Sequence, residues 1–366
     1  MTASTDVPLP PGTTVVLPPG TWMSGDEAQK VRRQHIGASE IAAVFGLDPY
    51  KSDYALWVHK TGRLDGLGLD DSNDATDWGH RMEDPLATWF ADHNPDWEVL
   101  PAPGSLVRDD HPLFIVSPDR IIRHRETGVL GVLELKNAGD RQRDQWLTEE
   151  DQAPERYIIQ TLMQMWATGT TTGYLCVLLN GNHPVIRRVD WDAEAVDTIL
   201  TEVEAWWDRH VIGGSPPAPD ESDRTTHLLE AMYGTTIPEP IDVGADAEVH
   251  RASIKAMRDQ IKVLADAIDR SKNLLRSLMG EHDEAVSQGN VIATWKQTGP
   301  FSRTRFAADN PEAAEKCTEL VPVINAEKAK QEYPEEYAAA RGRVLLIKDN
   351  PKPPKARPTT TPTMED

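Results

Sequence analysis

Apolar residues recur at helical spacing in several segments of the chain. In residues 74–94, "DATDWGHRMEDPLATWFADHN", they follow the three- and four-residue steps of an amphipathic helix. A second helix is predicted over "APERYIIQTLMQMWATG", where Pro154 stands in the first turn and Gly169 at the end. A third is predicted over residues 192–211, and residues 26–63 are predicted to form short helices broken at Gly46, Pro49 and Gly62.

β-rich runs lie between these helices. "FIVSPDRII" and "GVLELK" flank the turn-prone "RHRETG" and are predicted to be the two arms of one hairpin. Residues 172–191 predict a second hairpin that turns at Asn180–Asn182. Helices and strands mixed in this way indicate an α/β domain.

The pattern changes near residue 213, where "GGSPPAPDESD" has the composition of a linker. The sequence therefore predicts a disordered Pro-rich lead over 1–20, a domain over 21–212, a linker over 213–223, an extension over 224–349 and a disordered tail over 350–366. Short strands are expected in residues 291–306 and 343–348 of the extension.

The extension is predicted to contain one long helix with a single apolar seam. The seam positions alternate in three- and four-residue steps, with Ser271 as the one polar interruption: Ile254, Met257, Ile261, Leu264, Ile268, Leu275 and Leu278. Two interpretations are open: the seam packs against the rest of its own chain, or it associates subunits.

Composition excludes several classes of protein. The chain has 366 residues, of which 39% are hydrophobic and 27% charged, and it lacks an apolar run long enough for a membrane span. Its N-terminus has neither a basic start nor an apolar core, so a cytoplasmic location is expected. Two cysteines are too few for a four-thiolate metal site, and there is no Walker-type phosphate loop. The net charge of −21 allows nucleic-acid binding only through a local basic groove.

The first hairpin carries charged residues where apolar ones are expected. If its turn centres between Glu126 and Thr127, Asp119 faces Glu134, and Lys136 shares their side of the sheet. Facing carboxylates repel, so removing either one is expected to leave the stability unchanged or higher. A divalent cation could offset the repulsion, and oxygen ligands favour Mg²⁺ or Mn²⁺. The alternative is that Lys136 simply pairs with both carboxylates.

These residues also carry a resemblance to a known family. "SPD" followed by "ELK" resembles the PD-(D/E)XK nuclease motif, and "RRQHIGASEIAAVFGLDPY", "WGHRMEDPLATWF" and "YIIQTLMQMWATG" look like successive blocks of the YqaJ and phage lambda exonuclease family of viral recombinases. The likeness covers residues 31–210. It implies a restriction-endonuclease-like α/β core, with a central mixed β-sheet flanked by helices and a mainly helical extension with short strands.

The resemblance implies a role for individual residues. The implied metal ligands are Asp119, Glu134, Glu83 and the backbone carbonyl of Leu135, and the implied catalytic residues add Lys136 and Gln160. Gln164 competes with Gln160 for its position. Arg32 and Ser39 match positions that hold a terminal 5′-phosphate, and the neighbouring Arg33 is the alternative to Arg32.

The implied function is that of a Mg²⁺- or Mn²⁺-dependent exonuclease with two ions. It would degrade one strand of linear double-stranded DNA, 5′ to 3′, and supply single strands to an annealing protein or recombinase. A homo-oligomeric ring around the DNA is the family arrangement. The alternatives are a structure- or site-specific endonuclease with the same metal chemistry, and a non-catalytic DNA-end-binding accessory protein.

Overall fold

The computed structural model describes residues 7–19, 26–63, 74–147, 152–296, 298, 300–319 and 323–341. It divides into two compact units, Met1–Tyr233 and Gly234–Asp366. No helix of the described residues is long and apolar enough to cross a membrane.

The first unit contains most of the regular structure. Its strands are β1 Thr13–Leu17, β2 Ile36–Gly37, β3 Trp97–Pro101, β4 Ser105–Arg108, β5 His111–Val116, β6 Arg120–His124, β7 Leu130–Ala138, β8 Thr172–Leu179 and β9 His183–Asp190. Its helices are α1 Asp26–Gln34, α2 Ile41–Val44, α3 Asp53–Lys60, α4 Asp74–His93, α5 Arg143–Trp146, α6 Glu155–Thr168, α7 Ala193–Trp207 and α8 Asp223–Met232, with 3-10 turns at Ala38–Glu40 and Asp140–Gln142. A π-helical segment, Asp208–Ile212, extends α7.

A five-stranded mixed sheet, in the order β3-β6-β7-β8-β9, lies at the centre of this unit. The pairs β6–β7 and β8–β9 are antiparallel, whereas β7 and β8 are parallel and are joined by a crossover that contains α6. Both predicted hairpin pairings are confirmed. A second sheet, in the order β1-β4-β5-β2, ends in the parallel pair β2–β5.

The central sheet is covered on both faces, which explains the near-continuous apolar character of β7. Val132 packs in one cluster with residues of α6 and α7, such as Met163 and Val203. The neighbouring Leu133 packs in another cluster with Leu86 and Phe90 of α4. The predicted α/β class, with a mixed sheet between helices, is therefore confirmed.

Three predictions about the elements need correction. "FIVSPDRII" is not one strand: Ser117–Asp119 separate β5 from β6, which belong to different sheets. The lead over 1–20 is not wholly disordered, because β1 pairs with β4 and buries Leu17; residues 1–6 and 20 lie outside the described part. Residues 303–306 begin a helix capped by the Ser302 side chain, which accepts from the Arg305 N–H.

The boundary between the units lies beyond the predicted linker. Helix α8 follows residues 213–223 and still belongs to the first unit, which ends at Tyr233. It is fixed there because Leu228 is buried and the Thr225 and Ser52 hydroxyls are 3.4 Å apart. The first unit thus ends ten residues beyond the predicted linker and includes it.

The second unit begins with a single long helix. Its elements are α9 Gly244–Met279, β10 Glu284–Ser287, β11 Asn290–Thr294, α10 Arg303–Asp309, α11 Pro311–Lys316, α12 Ala326–Glu332 and α13 Pro334–Ala339. The hairpin β10–β11 turns at Gln288 and Gly289, which both have positive φ. The strand predicted over 343–348 and the tail over 350–366 lie outside the described residues.

The close approach of β7 and β8 gives a test of the central sheet. A Cβ added at Gly131 would lie 2.7 Å from the backbone oxygen of Thr172, so Gly131→Ala should lower the free energy of unfolding by about 1–3 kcal/mol. Gly139, just after β7, is the matched control because a Cβ added there would meet no atom within 4 Å and its φ of −82° is ordinary. Urea unfolding of both variants would show the difference, and equal stabilities would contradict this packing.

Candidate active site on the central sheet

The register of β6 and β7 brings Asp119 and Glu134 together. Arg120 pairs with Leu133, and continuing this register by one residue places Asp119 opposite Glu134, as the hairpin pattern predicts. Asp119 stands just before β6, where its Oδ2 accepts a hydrogen bond from the Leu135 N–H at 2.7 Å. The Asp119 carboxylate therefore accepts the hydrogen bond that a backbone carbonyl of the neighbouring strand would otherwise accept.

Pro118 leaves a backbone carbonyl on that edge of β7, the carbonyl of Leu135, without a donor from the neighbouring strand. In a strand the N–H and C=O of one residue point to the same side, so the Leu135 carbonyl also faces the strand that carries Asp119. The same register places Pro118 opposite Leu135, and proline has no N–H to donate. The Leu135 carbonyl is thus left without a ladder donor from Pro118, beside the Asp119 carboxylate.

Glu134 is fully buried and is held by three donors. Lys136, two residues later on the same face of β7, forms an ion pair with its Oε1. Gln160 donates to Oε1 at 2.6 Å and Gln164 donates to Oε2 at 2.5 Å, both from α6. The sequence left Gln160 and Gln164 as alternatives, and the structure brings both amides to the same carboxylate.

The charges of this cluster shift the pKa values of Asp119 and Lys136. Burial and the nearby Glu134 carboxylate raise the pKa of Asp119 well above its usual value. Burial by itself would lower the pKa of Lys136, but the Glu134 and Asp119 carboxylates outweigh it and raise that pKa. Lys136 also lies over the Tyr157 ring, with Nζ 5.5 Å from the ring centroid. Lys136 is therefore a permanently charged group at neutral pH.

Glu83 approaches this cluster from α4. Its carboxylate contributes to the raised pKa of Asp119, which places it within electrostatic reach of the β6–β7 pair. Its Oε1 lies 2.8 Å from the His80 Nδ1, and its Oε2 lies 3.7 Å from Arg120. Arg120 also donates to Asp84 and to the Asp119 carbonyl, both at 2.5 Å. Arg120 was not singled out in the sequence, although it directly follows Asp119 in "SPDR".

The donor set at this site suits a hard cation. Asp119, Glu83 and the Leu135 carbonyl offer oxygen, and mutual repulsion of the acidic groups is what a divalent ion relieves. However, no group of three or more His, Cys, Asp or Glu in the described residues is arranged to hold an ion. The Glu134 oxygens are occupied by Lys136 and the two glutamines. An ion would fit here if at least one of these donors left the Glu134 carboxylate, so that the ion took the donor's place on that oxygen.

Arg32 and Ser39 lie in a second group of residues. Ser39 is exposed in the 3-10 turn Ala38–Glu40, which packs against α6. Ser39 follows β2, which is parallel to β5, with Gly37 opposite Ile115. The segments that follow these two strands therefore leave the sheet at the same end. Ser117–Asp119 follow β5, so this topology places Ser39 on the side of the sheet where Asp119 lies.

A buried ion pair holds this second group. The Lys60 Nζ donates to the Arg32 carbonyl at 2.7 Å and to the Glu40 Oε2 at 2.6 Å. Burial alone would raise the pKa of Glu40, but Lys60 and other basic neighbours outweigh it and lower the pKa to about 2. Arg32 is among those neighbours. Arg33, the alternative phosphate ligand, is exposed in the last turn of α1.

Known proteins resemble this chain over the part that carries the candidate site. Residues 28–171 match the sequence model of the YqaJ-like viral recombinase domain. The matched range includes every residue of the candidate site, from Arg32 in α1 to Gln164 in α6. This match agrees with the resemblance that the sequence motifs carry.

Individual relatives differ widely in similarity. The uncharacterized protein YqaJ of Bacillus subtilis (strain 168) is 28% identical over 285 residues, which are 77% of this chain and 86% of that protein. An alkaline exonuclease, LHK-Exo, from Laribacter hongkongensis is 20% identical with a TM-score of 0.41, over 56% of this chain and 96% of that one. A phage related exonuclease from Haemophilus somnus 129PT is 12% identical with a TM-score of 0.39, over 51% and 99%.

The hydrogen bonds of the site correct the expectation that both carboxylates can be removed without loss of stability. Glu134→Ala would leave the half-buried Lys136 ammonium and two amides without their acceptor, so the free energy of unfolding should fall by about 2–4 kcal/mol. Asp119→Asn keeps an acceptor for the Leu135 N–H and removes repulsion, so stability should stay or rise. Denaturant unfolding without metal would test this, and equal effects would contradict it.

Proposed function

We propose that the protein is a Mg²⁺- or Mn²⁺-dependent exonuclease that degrades one strand of linear double-stranded DNA, 5′ to 3′. The observation that carries the proposal is the cluster on β7, where a buried Glu134 lies between Lys136 and two glutamine amides and opposite Asp119. Acidic oxygens beside a fixed ammonium are the groups that phosphodiester hydrolysis needs. The relatives described as exonucleases are consistent with the proposal.

Each residue of the cluster has a defined task in this proposal. Asp119, Glu134, Glu83 and the Leu135 carbonyl would hold the metal ions, which supply Lewis acidity and a bound water of lowered pKa. Gln160 and Gln164 orient Glu134, so that its oxygens are fixed before DNA binds. Lys136 provides a positive charge that orients water or screens charge on the phosphate.

The proposal extends to the biological setting. The single strands produced would serve phage-type homologous recombination, with a single-strand annealing protein or recombinase as the partner. The enzyme would act in the cytoplasm, as a ring-shaped homo-oligomer that encloses DNA. The matching domain is described as a viral recombinase domain, which supports the recombination setting, and Arg32 offers a local basic contact for DNA on an acidic chain.

The proposal predicts that digestion depends on the cluster. A linear duplex, labelled separately at each end of one strand, should lose label from the 5′ end first when the protein and Mg²⁺ are added. Asp119→Asn and Lys136→Met should lower the rate at least a hundredfold, about 2.7 kcal/mol or more of lost transition-state stabilisation. Asp92→Asn, an exposed carboxylate at the end of α4, is the control.

The same assay separates the alternative functions. Cutting of closed circular DNA would identify an endonuclease of the same chemistry. Binding to ends without any cleavage, by a folded protein supplied with Mg²⁺ or Mn²⁺, would identify an accessory protein. Unchanged rates in both variants would show that the β7 cluster is not the active site.

The second group of residues predicts a preference for phosphorylated ends. The Arg32 guanidinium can bind phosphate oxygens at two points and Ser39 can add a hydroxyl, so digestion should begin faster at a 5′-phosphate than at a 5′-hydroxyl. Arg32→Ala should reduce this preference about ten- to a hundredfold, because a charge-assisted contact is lost. Arg33→Ala is the matched control and should keep the preference.

Two outcomes distinguish this pocket from a structural role. Equal initial rates of the parent protein on both kinds of end would remove the assignment of Arg32 and Ser39 without affecting the β7 cluster. If Arg32 has only a structural role, Arg32→Ala should instead lower the unfolding temperature and slow digestion equally on both kinds of end.

A further inference from the structure

The seam of α9 is not used by the proposed nuclease chemistry. Over residues 254–278 it follows heptads in which the first position, a, and the fourth, d, face one side. Position a holds Ile254, Ile261, Ile268 and Leu275, and position d holds Met257, Leu264, Ser271 and Leu278. The seam runs for about three and a half heptads, or roughly 37 Å at 1.5 Å per residue, which is long enough for a coiled coil.

This seam is exposed. The relative exposures are 65% for Ile261, 62% for Leu264 and 54% for Ile268, in the middle of the helix. Soluble proteins rarely leave a contiguous apolar surface of this length uncovered, and such surfaces mark interaction sites. Within the second unit, no described element covers the middle of the seam.

The side chains of the seam indicate which partner covers it. β-Branched residues at a combined with leucine at d favour two parallel strands over three or four. Here three of the four a positions are isoleucine, and two of the d positions are leucine. We propose that α9 pairs with the same helix of a second copy of this chain, as a parallel, in-register, two-stranded coiled coil.

The charges beside the seam favour the parallel orientation. Arg258 and Lys272 occupy position e, and in a parallel pair they face Ser253 and Ala267, which are uncharged. In an antiparallel pair aligned for full overlap, Arg258 would face Lys272 of the other copy at both ends. Like charges at such positions repel, so the basic residues oppose the antiparallel arrangement.

Ser271 adds to the same conclusion. In the parallel, in-register pair it meets the Ser271 of the other copy, so one hydroxyl layer faces another. In the overlapping antiparallel pair it would face Ile261, and a polar group would lie against an apolar one. A single polar layer within a seam is a known means of fixing register.

The first experiment measures mass. Light scattering with size-exclusion chromatography on the full chain should show an even number of copies per particle. The double variant Ile261→Asp/Ile268→Asp should halve that number, while Asn273→Asp, on the opposite side of α9, should not change it. A monomeric parent, or an unchanged number of copies in the folded double variant, would overturn the proposal.

The second experiment measures orientation with a change that leaves the apolar seam intact. In a Cys317→Ser background, which removes the exposed cysteine, Ser271→Cys should form an intermolecular disulfide within a parallel pair. Asn273→Cys is the matched control and should cross-link at least tenfold more slowly. Equal cross-linking at both positions, or none at Ser271→Cys, would overturn the parallel pairing even if the double variant fails to fold.

Discussion

The burial of Glu134 is the constraint on which the candidate site depends. A carboxylate in the centre of a covered sheet is unfavourable unless each of its oxygens has a donor. The donors come from two elements, Lys136 on the same strand and the glutamine pair on α6. The position of α6 is therefore tied to that of β7, because a shift of this helix along the sheet would remove both amide donors from a buried carboxylate.

The same constraint explains why local sequence patterns succeed at this site. Alternation along β7 assigns Glu134 and Lys136 to one face, and hairpin register assigns Asp119 to the position opposite. Both are consequences of the period of two in a strand, which sequence shows directly. Helix α6 is bounded by Pro154 and Gly169, which has a φ of +69°, so its limits are also encoded locally.

Other features depend on contacts between distant segments and could not be read from sequence. The pairing of Glu40 with Lys60 joins residues on separate short elements, and nothing in "GASEIAAVFG" indicates a buried carboxylate. Strand β1 lies between prolines, which are typical of loops, and only its pairing with β4 shows that this segment is a strand. Residues on both sides of Ser117–Asp119 are β-formers, so the sequence predicts one continuous strand there. The structure divides it because β5 and β6 belong to two separate sheets.

The buried Glu40–Lys60 pair also affects how the protein should respond to ionic strength. Salt screens charges that are exposed to solvent, whereas a pair with almost no solvent exposure is screened little. Contacts between basic side chains and DNA phosphates weaken steeply as salt rises, because bound counterions are no longer released favourably. If DNA binds at Arg32 as proposed, salt would release it while the Glu40–Lys60 ion pair stays formed, so the contact of Lys60 with the Arg32 carbonyl would still hold this segment in place on dilution.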